Sequence, residues 1–388
     1  MTDPPIELTV LMPCLNEART IATCIAKARG FFERAGIAGE VLVVDNGSTD
    51  ATARIAAEAG AGVVAHEPKG YGSALNRGID EARGRYVIMG DADDTYDFAG
   101  LDAFVTLLRA GNDLVIGSRL RGPIQKNAMP WLHRYVGTPA LTGIMNLFYR
   151  TRLSDINCGL RGFNKSAVAA LNLRCNGMEF ASEMVIRAAQ EGLKIAETPV
   201  PYGASAVERT PNLKTFRDGW RHLRFMLILS PTWLFLYPGL VLFLAGLVLT
   251  LLLAVRPVAI MGIPLGLSTA LFAGSLMVIG LQGVLFGVFG LLRYAQSGQV
   301  RRRNWLTRLF IKSFRLERGL AVGGVVLGLG LVLSILTFVE LVRVASPSSI
   351  DVSVTRLSIL STFVVLLGLQ IMSFSFFLSL ADLEKTLE

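Results

Sequence analysis

A chain of 388 residues has room for two or three domains of ordinary size. Its residues are 52% hydrophobic and 18% charged, against about 25% charged in soluble chains, and its mean hydropathy is +0.49. These figures exclude a disordered chain, a coiled coil and a wholly soluble enzyme, while the net charge of +8 suits anionic lipid, an acidic substrate or nucleic acid.

The chain opens on polar and acidic residues, which is not a secretory signal and predicts a cytosolic N-terminus. Short apolar runs follow at residues 8–12, 41–44, 62–65, 86–89 and 114–116, each of a length that suits a buried strand. Helical stretches at 18–29, 49–58 and 73–82 alternate with them. That rhythm predicts βαβ units in a doubly wound parallel sheet. In such sheets ligands bind beyond the carboxyl ends of the strands. The cysteines, Cys14, Cys24, Cys158 and Cys175, form no C-x-x-C pair, so neither a disulfide framework nor a zinc site is indicated.

Each strand end carries a polar motif. The first is Pro13-Cys14-Leu15-Asn16-Glu17, the second Asp45-Asn46-Gly47-Ser48-Thr49-Asp50, and Lys69-Gly70-Tyr71-Gly72 follows the third. Taken alone, the second is also a plausible helix cap and the third a plain turn. Strand four runs into Asp91-Ala92-Asp93-Asp94. Three carboxylates in four residues repel one another unless a hard cation lies between them, and Mg²⁺ uses one or two carboxylates together with substrate phosphates.

Beyond Arg224 the composition changes, and long runs pass without a charge. They predict four transmembrane spans, at 232–255, 267–292, 319–341 and 357–380. The chain then divides into a cytosolic domain (1–215), an interfacial amphipathic segment (216–230) and a membrane domain (231–388). The loop 293–318 holds Arg293, Arg301, Arg302, Arg303, Arg308, Lys312, Arg315 and Arg318, against Glu317 alone. The positive-inside bias puts that loop, the N-terminal half and both termini in the cytosol of a multi-pass protein of the cell membrane. Its position between two spans favours anionic lipid over nucleic acid as its partner. Gly323, Gly324, Gly328 and Gly330 would permit close helix contacts, including those of a homo-oligomer.

The order P-x-x-N-E, D-x-G-S-x-D, K-G-x-G, D-x-D resembles family 2 of the inverting nucleotide-sugar glycosyltransferases, whose catalytic domain has the Rossmann-like α/β GT-A fold. The resemblance extends through Gly117-Ser118-Arg119, through residues 155–161 and through residues 179–183, and covers residues 6 to 225. Within the family the chain is most similar to polyprenyl-phosphate hexose synthases, some of which carry C-terminal transmembrane helices.

The resemblance implies roles. Pro13, Asn16, Glu17, Asp45, Asn46, Lys69, Gly70 and Asp91 would bind the nucleotide sugar. Asp91 and Asp93 would bracket Mg²⁺ or Mn²⁺ on its diphosphate. Asp93, Asp155 and Arg119 would form the catalytic group, with Asp155 facing the sugar or the acceptor. Arg119, Arg209 and Lys214 would receive the lipid phosphate; membrane-surface charge is the competing reading of the last two. His66, His133 and His222 read as structural or interfacial.

The implied reaction is metal-dependent, inverting transfer of a hexose to a polyprenyl phosphate at the cytosolic membrane face. Asn46 stands where the family usually has a second Asp, and residues 94–98 depart from the mannose-synthase pattern. Cys158-Gly159 looks more like the glucose synthases, so UDP-glucose is favoured over GDP-mannose as donor. The alternatives are a GDP-mannose-dependent mannosyltransferase, a processive polysaccharide synthase, and a non-catalytic scaffold or lipid translocase. The synthase's Q-x-x-R-W motif has no counterpart at Phe216–Arg221, where no Gln occurs.

Overall fold

In the computed structural model, residues 5–204, 215–255, 258–260, 263–296, 316–343 and 352–383 are described. The described residues divide into two compact units, one reaching Met226 and the other beginning at Leu227.

The first unit is built on a seven-stranded sheet of order β3-β2-β1-β4-β6-β5-β7. Its strands are β1 (Leu8–Cys14), β2 (Gly39–Asp45), β3 (Gly62–Ala65), β4 (Tyr86–Met89), β5 (Leu114–Ser118), β6 (Arg161–Asn164) and β7 (Ile195–Pro199). The helices between them are α1 (Ile21–Ala35), α2 (Thr52–Glu58), α3 (Tyr71–Glu81), α4 (Asp102–Arg109), α5 (Thr138–Tyr149), α6 (Lys165–Ala169) and α7 (Phe180–Glu191), and α8 (Thr215–Ile228) follows β7. The five strands expected from apolar runs are all present, and β1, β2 and β4 are almost wholly buried because helices cover both faces.

The sheet is mixed rather than purely parallel. β6 lies antiparallel between β4 and β5, with Ile88 opposite Gly162 and Val115 opposite the same glycine. A Cβ on Gly162 would stand 3.1 Å from Phe104 and 3.2 Å from Leu108, so its lack of a side chain lets α4 close over the sheet. β6 also begins with Arg161, which is fully buried and donates to the carbonyls of Cys158 (2.9 Å), Ile156 (2.6 Å) and Ala181.

The second unit is helical. Its long helices are α9 (Tyr237–Val255), α10 (Leu267–Gln296), α11 (Leu316–Arg343) and α12 (Val352–Leu383), and a short hairpin of β8 (Val258–Ile260) and β9 (Ile263–Leu265) follows α9. Four segments are long and apolar enough to cross a membrane: Thr232–Ala254, Leu267–Arg293, Leu316–Arg343 and Val352–Leu380. Their apolar surface is largely exposed, which suits lipid rather than water as the surrounding phase. Small residues let the helices approach. A Cβ on Gly239 of α9 would stand 2.6 Å from Val284 N of α10, and one on Gly330 of α11 would stand 2.6 Å from Val365 N of α12. Gly323 also packs on α12, while Gly324 and Gly328 face open space. Gln282 of α10 and Gln370 of α12 hydrogen-bond to each other.

Candidate active site

The motifs meet at one end of the sheet. The turn after β1 is laced to the turn after β2: Asn16 Oδ1 accepts from Thr49 N at 2.8 Å, Asn16 N donates to Ser48 Oγ at 2.9 Å, and Glu17 N donates to Thr52 Oγ1 at 2.8 Å. Asn16 has a left-handed backbone (φ 61°), a conformation Asn tolerates better than most residues. Asp45, buried at the end of β2, accepts from Ser48 N at 3.3 Å. The thiol of Cys14, at the end of β1, is pushed well above its usual range by burial, and then by the charges of Glu17, Asp45 and Asp91.

Asn46 and Gly70 have structural work. Asn46 Nδ2 donates to His66 O (3.0 Å) and Pro68 O (3.2 Å), and its Oδ1 accepts from Gly70 N at 2.6 Å. The amides of Gly72 and Ser73, at the start of α3, donate to Asn176 O at 2.9 and 3.3 Å. The K-G-x-G turn is thus closed by the loop before α7, and its glycines allow that loop to approach: a Cβ on Gly72 would stand 2.8 Å from Phe180 Cβ. These bonds fix the turn on which Asn46 and Gly70, both expected as nucleotide-sugar contacts, are carried. Lys69 stays exposed, its side chain lying over Gly47.

The acidic cluster separates into two kinds of carboxylate. Asp94, also left-handed (φ 61°), pairs with Lys27 at 2.7 Å. Asp91 and Asp93 have no ion-pair partner among the described residues. Asp93 Oδ1 accepts from Thr95 N (3.2 Å) and Thr95 Oγ1 (2.7 Å), and Asp91 Oδ1 accepts from Tyr71 Oη at 3.0 Å. Burial, with the Asp93 charge beside it, raises Asp91 to about 6. Burial also drives the Tyr71 hydroxyl well above its usual range, so it stays protonated and donates. A Cβ on Gly159 would stand 2.7 Å from Asp91 Oδ2, and Gly159 N donates to Tyr96 Oη at 2.8 Å. Among the described residues no three His, Cys, Asp or Glu side chains group as a metal cage. Two neighbouring carboxylates without a cation of their own fit a divalent ion that completes its shell with phosphate oxygens.

Arg119 follows β5 and faces Asp155. Its Nε and Nη2 donate to the two Asp155 oxygens at 2.7 and 2.9 Å, and its backbone N donates at 3.2 Å. Asn157 N adds a fourth bond at 3.1 Å. Asp155 is 0% exposed and Arg119 11%. Asp155 was expected to face the sugar or the acceptor; its carboxylate is enclosed and accepts these four hydrogen bonds. These bonds hold the side chain of Arg119. Its guanidinium lies 5.2 Å from the Tyr202 ring centroid, and the Tyr202 and Tyr96 rings are 5.4 Å apart.

Behind this pair stands Glu197 of β7, whose side chain is 4% exposed. It accepts from Ser154 N (2.7 Å), Ser154 Oγ (2.9 Å) and Asp155 N (3.1 Å), and pairs with Arg121 at 3.2 Å. Ser118 Oγ meets Ser154 Oγ at 2.6 Å. Glu197, Tyr71, Tyr96 and Tyr202 were all missed by sequence reasoning. A lone Glu inside a short strand was the only available signal. His66 bonds Ser73 Oγ through Nε2 (2.6 Å) and His222 bonds Ser182 Oγ through Nδ1 (2.8 Å), contacts that suit structural roles. Arg209 and Lys214 lie outside the described residues.

Comparison with known proteins identifies the family of the chain. Residues 9–171 match glycosyl transferase family 2, and residues 291–382 match the glycosyltransferase family 2 C-terminal transmembrane region. The chain is 41% identical over 374 residues to the low-salt glycan biosynthesis hexosyltransferase Agl6 of Haloferax volcanii, covering 96% of this chain and 88% of that protein. It is 31% identical over 202 residues to a dolichyl-phosphate hexose transferase of the same organism, covering 52% of this chain and 85% of the relative. Among solved structures, glucosyl-3-phosphoglycerate synthase from Mycobacterium tuberculosis, in complex with Mn²⁺ and UDP-glucose, aligns with a TM-score of 0.45 and 21% identity, over 57% of this chain and 78% of that one.

Proposed function

This chain belongs to glycosyltransferase family 2, and from that premise we propose that it transfers a hexose from a nucleotide sugar to a polyprenyl phosphate, with inversion and with a divalent cation. The observation that carries the reading is the pair Asp91 and Asp93, which follow β4 at the carboxyl end of the sheet and have no ion-pair partner among the described residues. Pairs of this kind suit a diphosphate and its metal. The kinship to a dolichyl-phosphate hexose transferase supports a lipid phosphate as acceptor.

The chain's own residues have definable tasks in this reading. Asp45 and the laced turns carrying Asn16 and Glu17 bind the base and ribose. Asp91 and Asp93 would hold Mg²⁺ or Mn²⁺, and a cation bound there supplies Lewis-acid stabilisation of the leaving diphosphate. Tyr71 orients Asp91 by its hydrogen bond. Arg119, aimed by Asp155, binds a phosphate oxygen and keeps it in line with the anomeric carbon. The acceptor phosphate has a second pKa near 6, so its oxygen is already a nucleophile at neutral pH and no strong base is needed. That agrees with Asp155 being committed to Arg119. Arg209 and Lys214 belong to the acceptor phosphate in this scheme, and UDP-glucose is the favoured donor. The positive-inside bias of residues 293–318 supports a catalytic unit on the cytosolic face.

The test incubates membranes holding the protein with labelled UDP-glucose or GDP-mannose and undecaprenyl phosphate. Label from UDP-glucose should enter the organic phase in a single addition. Label in long polymer would favour a processive synthase, and no transfer from any nucleotide sugar would leave only a non-catalytic role.

A further inference from the structure

The three acids after β4 are satisfied in two different ways. Asp91 Oδ1 accepts from the Tyr71 hydroxyl at 3.0 Å and Asp93 Oδ1 from Thr95 Oγ1 at 2.7 Å, so both are held by neutral donors. Asp94 alone meets a cation, Lys27 Nζ of α1, at 2.7 Å. The same Asp94 oxygen lies 4.0 Å from Cys24 Sγ, on a cysteine that is fully buried. Cys24 and Lys27 are three residues apart on α1 and so share a face. Asp94 reaches that face from a left-handed backbone (φ 61°), a conformation Asp adopts more readily than most residues.

The contact sets the charge of the acidic segment. Three carboxylates and one ammonium leave it with two negative charges, which balance one divalent cation. Mg²⁺ is held by one or two carboxylates together with substrate phosphates. A third free carboxylate would draw the ion to the protein before the diphosphate arrived, and would repel that diphosphate afterwards. Lys27 is 34% exposed and Asp94 20%. An ion pair this open to water adds little to stability, so its weight falls on the charge beside Asp91 and Asp93.

We propose that Lys27 is a positioning residue: it withdraws Asp94 from the acidic segment, so that a divalent cation meets two carboxylates and loads with the nucleotide diphosphate rather than on the protein alone. The proposal rests on Asp91 and Asp93 holding the metal.

Mn²⁺ binding to the purified full-length protein, followed by electron paramagnetic resonance without a sugar donor, tests it. The wild type should bind Mn²⁺ weakly alone and more tightly with UDP or GDP. Lys27→Met leaves three open negative charges and should bind Mn²⁺ alone about fivefold or more tightly than the wild type, with a smaller further gain from the nucleotide. Asp94→Asn leaves the Lys27 cation beside two carboxylates and should weaken Mn²⁺ binding by a similar factor. The double variant restores the balance and should return close to the wild type, as should Lys27→Arg. Both side chains are part exposed, so no variant opens a core cavity, and Lys27→Gln replaces Lys27→Met should the latter fold poorly. A plain tie between α1 and the loop predicts Mn²⁺ binding weakened or unchanged by loss of the lysine and no recovery in the double variant; that result would overturn the proposal. If neither nucleotide strengthens Mn²⁺ binding by the wild type, the metal reading of Asp91 and Asp93 falls, and this proposal falls with it.

Discussion

Replacing Asp155 by Asn separates an aiming role from a base role. The substitution keeps the shape but removes the charge, and one of the two parallel bonds to Arg119 becomes a meeting of two donors. Asp155 is 0% exposed and Arg119 11%, so water cannot make good the loss. Breaking a pair this buried costs about 3–5 kcal/mol. Asn retains one acceptor, so the lower end applies, and about 3 kcal/mol appearing in the transition state lowers kcat by about two powers of ten. Initial rates of sugar transfer from a labelled donor read this directly. If Asp155 acts only by holding Arg119, the pH–rate profile keeps its shape at a lower level, and Asp155→Asn adds little to Arg119→Ala. Loss of the acidic limb of the profile, or multiplicative losses in the double variant, would refute the argument and return Asp155 to the reacting atoms.

Other outcomes follow from the same geometry. Asp93→Asn should abolish transfer with the protein still folded in membranes, and EDTA should stop the wild type until Mg²⁺ or Mn²⁺ is restored; near wild-type turnover by the variant would contradict the metal assignment. With Asp91 raised to about 6, protons compete with the metal below that pH, so the apparent metal affinity should fall as pH drops through it. Tyr71→Phe removes a bond that lowers Asp91 and should move this acid limb to higher pH, as titrations of metal-dependent rate will show. Glu40 is pushed up by burial, but bonds from Arg83 N, Thr9 and the Arg83 side chain outweigh this and hold it below 4.5. A depressed carboxylate contributes stability that is complete above its unfolded value and is lost as pH falls through the folded one. Glu40→Gln should therefore lower Tm at neutral pH, with the gap from wild type closing below pH 4.5; a gap independent of pH would contradict it.

Much of the fold could be read from apolar runs, because β1, β2 and β4 are buried on both faces and leave no polar alternation. β6 could not. Its sequence Arg-Gly-Phe-Asn has one large apolar side chain, and only the three carbonyls around Arg161 make a buried cation tolerable there. Its antiparallel direction is a long-range property that no local period records. Membrane helices were the clearest signal, since length and the absence of charge suffice.

In the candidate site, motifs at strand ends pointed to Asp45, Asp91, Asp93 and Arg119, because few residue types bind a phosphate or a cation. What sequence could not reveal was which side chains face each other. The bonds by which Asn46 ties together the 66–70 turn, Gly70 N among them, join residues twenty or more apart and leave no local pattern. The pairing of Asp155 with Arg119 joins residues 36 apart and is equally invisible locally. Glu197 sits more than forty residues from the serine and aspartate it supports.

The central claim is the transfer of one hexose to a lipid phosphate. It is tested most directly by purifying the protein, supplying UDP-glucose, Mg²⁺ and undecaprenyl phosphate, and determining the product by mass spectrometry and NMR. The account predicts one hexose joined to the lipid through a phosphodiester, with the anomeric configuration opposite to that of the donor. Free hexose alone, a lipid carrying several sugars, or retained configuration would contradict it.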